Sequence, residues 1–225
     1  MKYGLIFFIL LIAQNAFALY GTKVESASER FVVSLFLDDK EHPDRGFFCN
    51  GVLVSPTRIL TAGHCISEMG LDVYEMSQAL VYRPQLMKID VGGKMIRAKA
   101  VTFAPSYFEG YGHDAEDLAL IELRKPVTHV RAIKIAPKNL LTNGKEITLI
   151  ARGHKVQSKL LQLKKLPQTS VLYISKSAGA CLGDSGGAIV INEKGPPMLA
   201  GILMYEGNKT CYKKMGYGHF PKVRF

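Results

Sequence analysis

The stretch Cys181-Leu182-Gly183-Asp184-Ser185-Gly186-Gly187 sets one alcohol among small residues. A serine hydroxyl attacks a carbonyl only when a base takes its proton, so Ser185 alone says little. Its neighbours say more. Without side chains, Gly183, Gly186 and Gly187 permit a tight turn and a close approach by a substrate carbonyl. The amides of Gly183 and Ser185 can then converge on the oxygen that becomes negative. Taken singly, the stretch also reads as an ordinary glycine-rich turn; a base elsewhere in the chain separates the two readings.

Leu60-Thr61-Ala62-Gly63-His64-Cys65 supplies an imidazole, and Glu116-Asp117-Leu118-Ala119-Leu120-Ile121 supplies a carboxylate at the entry to an apolar strand. An imidazole titrates near neutrality, which suits a group that accepts a proton and returns it. In order and in flanking residues, T-A-G-H-C, D-L-A-L-I-x-L and G-D-S-G-G resemble the trypsin/chymotrypsin-like serine proteases, and the resemblance extends over residues 19–225. It implies His64 as the base that deprotonates Ser185, Asp117 as the holder of the His64 tautomer, and the Gly183 and Ser185 amides as the oxyanion hole. It implies no cofactor and no metal. The other histidines, at positions 42, 113, 129, 154 and 219, read as loop or surface residues.

The resemblance also bears on specificity. Gly179, Leu182, Tyr205, Glu206 and Gly218 fall where the family lines the pocket for the residue before the cut. Trypsin-type enzymes carry an aspartate at the position of Gly179, so the pocket base here is uncharged. Glu206 stands where a glycine is usual and either attracts a basic side chain or narrows an apolar pocket. Met204 replaces a serine that usually hydrogen-bonds the triad acid, and a thioether cannot donate that bond. Ala188 replaces the proline that usually follows G-D-S-G-G.

The elements that must position these groups come next. Leu5 to Ala13 is an apolar run followed by Ala16-Phe17-Ala18, the pattern of a secretory signal cut after Ala18. It is short of the roughly 20 apolar residues of a spanning helix, and no later segment is long enough. Removing residues 1–18 leaves 207 of the 225 residues, ample for one core in two subdomains. The family implies that a freshly cut amino terminus pairs with Asp184. No Arg or Lys precedes Leu19-Tyr20-Gly21-Thr22, so signal cleavage itself is expected to expose that terminus; an uninserted strand end is the alternative.

From residue 31 the chain falls into short apolar segments split by turn residues: Phe31 to Leu37, Gly51 to Val54, Arg58 to Thr61, Ala98 to Phe103 and Leu118 to Leu123. Such spacing predicts an all-β barrel or sandwich. The resemblance makes it two six-stranded antiparallel β-barrels with the active site between them. The first spans about 19–126 and the second about 127–225, with Pro126 to Ala136 as the crossover. Glu146 to Arg152 and Leu160 to Leu166 read as opening strands of the second barrel. Pro167 to Ala178 is short beside relatives, and the family's closing C-terminal helix is expected to be missing.

Four cysteines in an exported chain predict two disulfides, with three pairings open. The resemblance selects Cys49 with Cys65 and Cys181 with Cys211. The net charge of +10 becomes +9 once the signal and its one lysine are gone. Lys155, Lys159, Lys164 and Lys165, then Lys209, Lys213 and Lys214, make basic patches that would favour anionic surfaces, though no nucleic-acid motif accompanies them. The sequence thus predicts a secreted (extracellular or periplasmic), monomeric serine endopeptidase acting on proteins or peptides. A secreted cationic binding protein on the same fold, with little or no catalysis, is the alternative.

Overall fold

The structure is a computed structural model. It describes residues 21–24, 29–37, 47–67, 86–105, 107, 116–165, 170–174, 183–193, 195–204 and 216–219. The expected signal segment, the terminus at Leu19, Gly179, Cys181, Leu182, Tyr205, Glu206, Cys211 and the residues after 219 lie outside them.

Among the described residues, fourteen strands run in the order β1 (Thr22–Lys23), β2 (Val32–Leu37), β3 (Phe47–Ser55), β4 (Arg58–Thr61), β5 (Met87–Val91), β6 (Lys94–Phe103), β7 (Ala119–Leu123), β8 (Lys134–Ile135), β9 (Glu146–Ala151), β10 (His154–Lys165), β11 (Ser170–Ile174), β12 (Ala188–Ile191), β13 (Met198–Met204) and β14 (Gly216–His219). Among the described residues the one α-helix is a single turn, α1 (His64–Ser67), and a 3-10 turn occupies Lys138–Leu140. No helix of the described residues is long and apolar enough to cross a membrane.

The first barrel closes in the order β2-β3-β4-β7-β6-β5. In the second sheet the ladders β9–β10, β10–β11, β11–β14, β14–β13, β13–β12 and β12–β9 also return to their start, a closed circuit of six antiparallel strands. Closure leaves few edges to protect. Two short strands are added to this circuit: β1 pairs with β10, and β8 pairs in parallel with β13.

Burial follows the two-residue period of a strand. Along Phe31 to Phe36 and along β5, buried residues alternate with half-buried ones. In contrast, β9, β12 and β13 are buried almost throughout. Their two faces serve different cores. Ile147, Leu149, Ile189, Ile191, Ala200 and Leu203 fill the second barrel, while Ile150, Ala188, Val190, Leu199 and Ile202 join the core of the first. One sheet is therefore both a barrel wall and the floor on which the other barrel rests. Each of the fully buried aliphatic side chains contributes on the order of 1.5–3 kcal/mol.

Residues 124–133 form no strand, yet Val127, Val130 and Ile133 are buried in the first core. The segment between the barrels is thus packed down along its length.

Candidate active site

Register brings the acid and the imidazole together. In the β4–β7 ladder Thr61 lies opposite Ala119. His64 follows Thr61 by three residues and Asp117 precedes Ala119 by two, so both emerge from the same end of one strand pair. Gly63 turns the chain after β4, and its carbonyl accepts the N–H of Ile66 at 2.9 Å and of Ser67 at 3.1 Å, winding α1. A side chain on Gly63 has no room. A Cβ there would lie 2.4 Å from the Tyr107 ring and 2.9 Å from Asp117 Oδ1.

Asp117 holds His64 with both oxygens. Oδ1 accepts the His64 backbone N–H at 2.6 Å, and Oδ2 lies 2.6 Å from Nδ1. The carboxylate is an acceptor, so the imidazole proton belongs on Nδ1, leaving Nε2 with a lone pair. The Asp117 side chain is 9% exposed and that of His64 is 22% exposed. A shielded acid thus supports an imidazole open on its other side. Tyr107 lies against Gly63: its ring stacks on Phe103 with centroids 4.9 Å apart, and its hydroxyl bonds the Ser67 hydroxyl.

Cys49, in β3, is bridged to Cys65, in α1, with Cα atoms 5.9 Å apart. The two sulfurs and a ring nitrogen of His64 form a compact group of potential metal-ligand atoms, but the sulfurs are bonded to each other and offer no thiolate. The bridge instead ties the His64 turn to the strand beside it. Cys181 and Cys211 lie outside the described residues.

Ser185 sits three residues before β12, where the second barrel meets the first. Its carbonyl accepts the backbone N–H of Asn50 at 2.9 Å. The Asp184 carbonyl accepts the Gly187 N–H at 3.0 Å, and the Gly186 N–H donates to Leu203 at 2.8 Å. Gly183 and Gly186 have φ of +92° and +79°, in the left-handed region. A Cβ on Gly186 would lie 1.9 Å from the Asn50 carbonyl oxygen and 2.6 Å from Thr61 Oγ1. The Ser185 turn is therefore seated directly on β3 and β4, the strands that lead to His64. The described hydrogen bonds around Ser185 use carbonyls and the amides of Gly186 and Gly187; those of Gly183 and Ser185 are in none of them, nor is the Ser185 hydroxyl. Ser185 is 5% exposed and Asp184 is fully buried.

Of the expected pocket residues, Gly218 is on β14, with its backbone opposite Leu203 and Leu172. Gly179, Leu182, Tyr205 and Glu206 are outside the described residues. Met204, at the end of β13, packs half-buried against the first core. The sequence alone gives Asn50, Thr61 and Tyr107 no role, although Thr61 stands in the T-A-G-H-C motif. The signal for Asn50 was a lone amide inside a strand that is otherwise apolar or small, between Cys49 and Gly51. Tyr107 ends Ala104-Pro105-Ser106-Tyr107, which resembles the family's turn ahead of the triad acid, but nothing local points to its partner Ser67, 40 residues away.

The trypsin family's sequence profile matches residues 19–224 of the chain. A protein named Trypsin from Sarcophaga bullata is 26% identical over 236 aligned residues, covering 88% of this chain and 87% of that protein. With a match across nearly the whole chain, two closed barrels and the His64 turn braced by a buried acid, this protein belongs to the trypsin family of serine proteases.

Proposed function

We propose that the protein is a secreted serine endopeptidase working through Ser185, His64 and Asp117. The observation that carries this reading is the two-oxygen grip of Asp117 on His64, which commits Nε2 to accepting a proton. Nε2 takes the Ser185 proton as Oγ bonds to the scissile carbonyl carbon. The carbonyl oxygen becomes an oxyanion and is met by the Gly183 and Ser185 N–H groups. Collapse of this adduct breaks the C–N bond, and His64 gives its proton to the leaving amine. Water, deprotonated by the same nitrogen, then releases the acyl group. Asp184, fully buried under the turn, is assigned as the partner of the amino group that signal removal exposes. The Cys49–Cys65 bridge supports export to an oxidising compartment.

The pocket for the residue before the cut is assigned to Gly179, Leu182, Tyr205, Glu206 and Gly218. With Gly179 at its base, the floor of the pocket carries no charge to favour Lys or Arg. Cleavage profiling on a diverse peptide mixture, with Ser185→Ala as control, tests both assignments. The expected result is turnover that disappears in the variant, with no dominance of Arg or Lys before the cut. Turnover that survives Ser185→Ala contradicts the nucleophile, and a strong Arg preference lost in Glu206→Gln contradicts the pocket.

A further inference from the structure

Asn50 is a fully buried amide in the middle of β3. A buried amide left without partners costs about 1–3 kcal/mol, so packing alone does not favour it here. Its side chain spends both kinds of hydrogen-bonding group across the boundary between the barrels. Nδ2 donates to the Gly183 carbonyl at 2.9 Å and to the Ser185 carbonyl at 3.2 Å. Oδ1 accepts the backbone N–H of Arg152 at 2.9 Å. The Asn50 backbone adds an N–H to the Ser185 carbonyl, and its own carbonyl takes the Thr61 hydroxyl at 2.7 Å.

The partners are as telling as the distances. Gly183 and Ser185 bracket Asp184, so Nδ2 holds the peptide plane on each side of the Asp184–Ser185 bond. That bond carries the Ser185 N–H. Arg152 and Gly153 form the two-residue turn between β9 and β10, with φ of 48° and 72°, values that call for positive φ at both positions of a tight hairpin. The first N–H of such a turn points out of the hairpin, and Asn50 Oδ1 receives it. One side chain therefore joins three segments: the strand leading toward His64, the nucleophile turn and a hairpin of the second barrel.

We propose that Asn50 is a positioning residue for catalysis. Its amide fixes the turn around Ser185 so that the Ser185 N–H stays free for the substrate's oxyanion. The inference rests on the peptidase reading above. It assigns Asn50 no contact with substrate; it acts through the backbone of residues 183–186.

Two variants test it. Asn50→Ala removes both functions of the amide, and Asn50→Asp keeps the shape and the acceptor for Arg152 while removing the donor. Rates are normalised to active enzyme by burst titration and measured well below the melting temperature. In both variants kcat is expected to fall about 10- to 100-fold, with KM within threefold of wild type. Affinity for a peptidyl boronic acid, whose tetrahedral adduct puts an oxygen in the oxyanion hole, should fall in step with kcat. A purely structural role would lower the melting temperature and leave normalised kcat and boronate affinity alone. Normalised kcat within twofold of wild type in Asn50→Asp overturns the proposal, as does failure of both variants to fold, which would assign Asn50 to the scaffold. A correctly processed wild type with no turnover sinks the peptidase reading first; an active wild type with unaffected variants sinks only the role of Asn50.

Discussion

Asp117→Asn is expected to lower kcat by about four orders of magnitude while the protein stays folded. Asp117 now accepts two hydrogens from one residue, the backbone N–H and the Nδ1–H of His64, each at 2.6 Å. An asparagine of the same shape has a single acceptor oxygen. If that oxygen keeps the backbone N–H, the new NH2 faces Nδ1, drives the ring proton to Nε2 and blocks acceptance of the Ser185 proton. If it keeps Nδ1, the NH2 is forced against the backbone N–H that anchors α1. The first outcome removes the base, and the second pulls it out of position by breaking the backbone anchor of α1. Steady-state kinetics check this. The loss should fall on kcat with KM nearly unchanged, as for an interaction made in the transition state, and a drop under tenfold would show that Asp117 does not set the His64 tautomer.

Gly186→Ala is expected to be the most destabilising single methyl group at the site. At φ +79° any L side chain is strained by roughly 1–2 kcal/mol, but the larger effect is collision. The new Cβ would sit 1.9 Å from a backbone oxygen of Asn50, which cannot swing aside as a flexible side chain would. Relief requires lifting the Ser185 turn off β3, with loss of the hydrogen bonds that seat it. A loss of about 3–5 kcal/mol lowers the melting temperature by on the order of 10 °C in a chain of this size, and activity disappears with it. Gly144→Ala is the control: φ is +81°, yet nothing lies within 4 Å of the added Cβ. It should cost only the backbone strain, roughly 1–2 kcal/mol. Equal melting temperatures for the two variants would contradict the seating of the turn on the first barrel.

These two residues illustrate what was legible in the sequence. His64, Asp117 and Ser185 stood in ordered motifs, and strands such as Arg58–Thr61 and Ala119–Leu123 were readable because they are short, mostly apolar segments buried at nearly every position. Other strands were read short or missed where burial is one-sided or mixed. Phe47–Ser55 carries Asn50 and Gly51 in its centre, so its apolar run showed only from Gly51 onward. His154–Lys165 was read only from Leu160, because its first half places Ser158 inward and alternates with Lys155, Gln157 and Lys159. Met87–Val91 went unread although Met87, Ile89 and Val91 are buried and alternate with Lys88 and Asp90. The seating of the turn was not readable at all. Asn50 and Ser185 are 135 residues apart, and local pattern carries no information about which strand a distant loop will rest on. The same holds for Gly186, which reads as a turn glycine until the Asn50 carbonyl is found beneath it.

The central claim, that His64 held by Asp117 activates Ser185 beside an oxyanion hole, is tested most directly by a serine-reactive peptidyl phosphonate. The reagent is applied to the secreted, disulfide-bonded protein and the adduct is mapped by mass spectrometry. The account predicts one adduct, on Ser185, absent from Ser185→Ala and formed far more slowly in His64→Ala. A folded, correctly processed wild type that takes no label would contradict it and favour a cationic binding protein built on the protease fold.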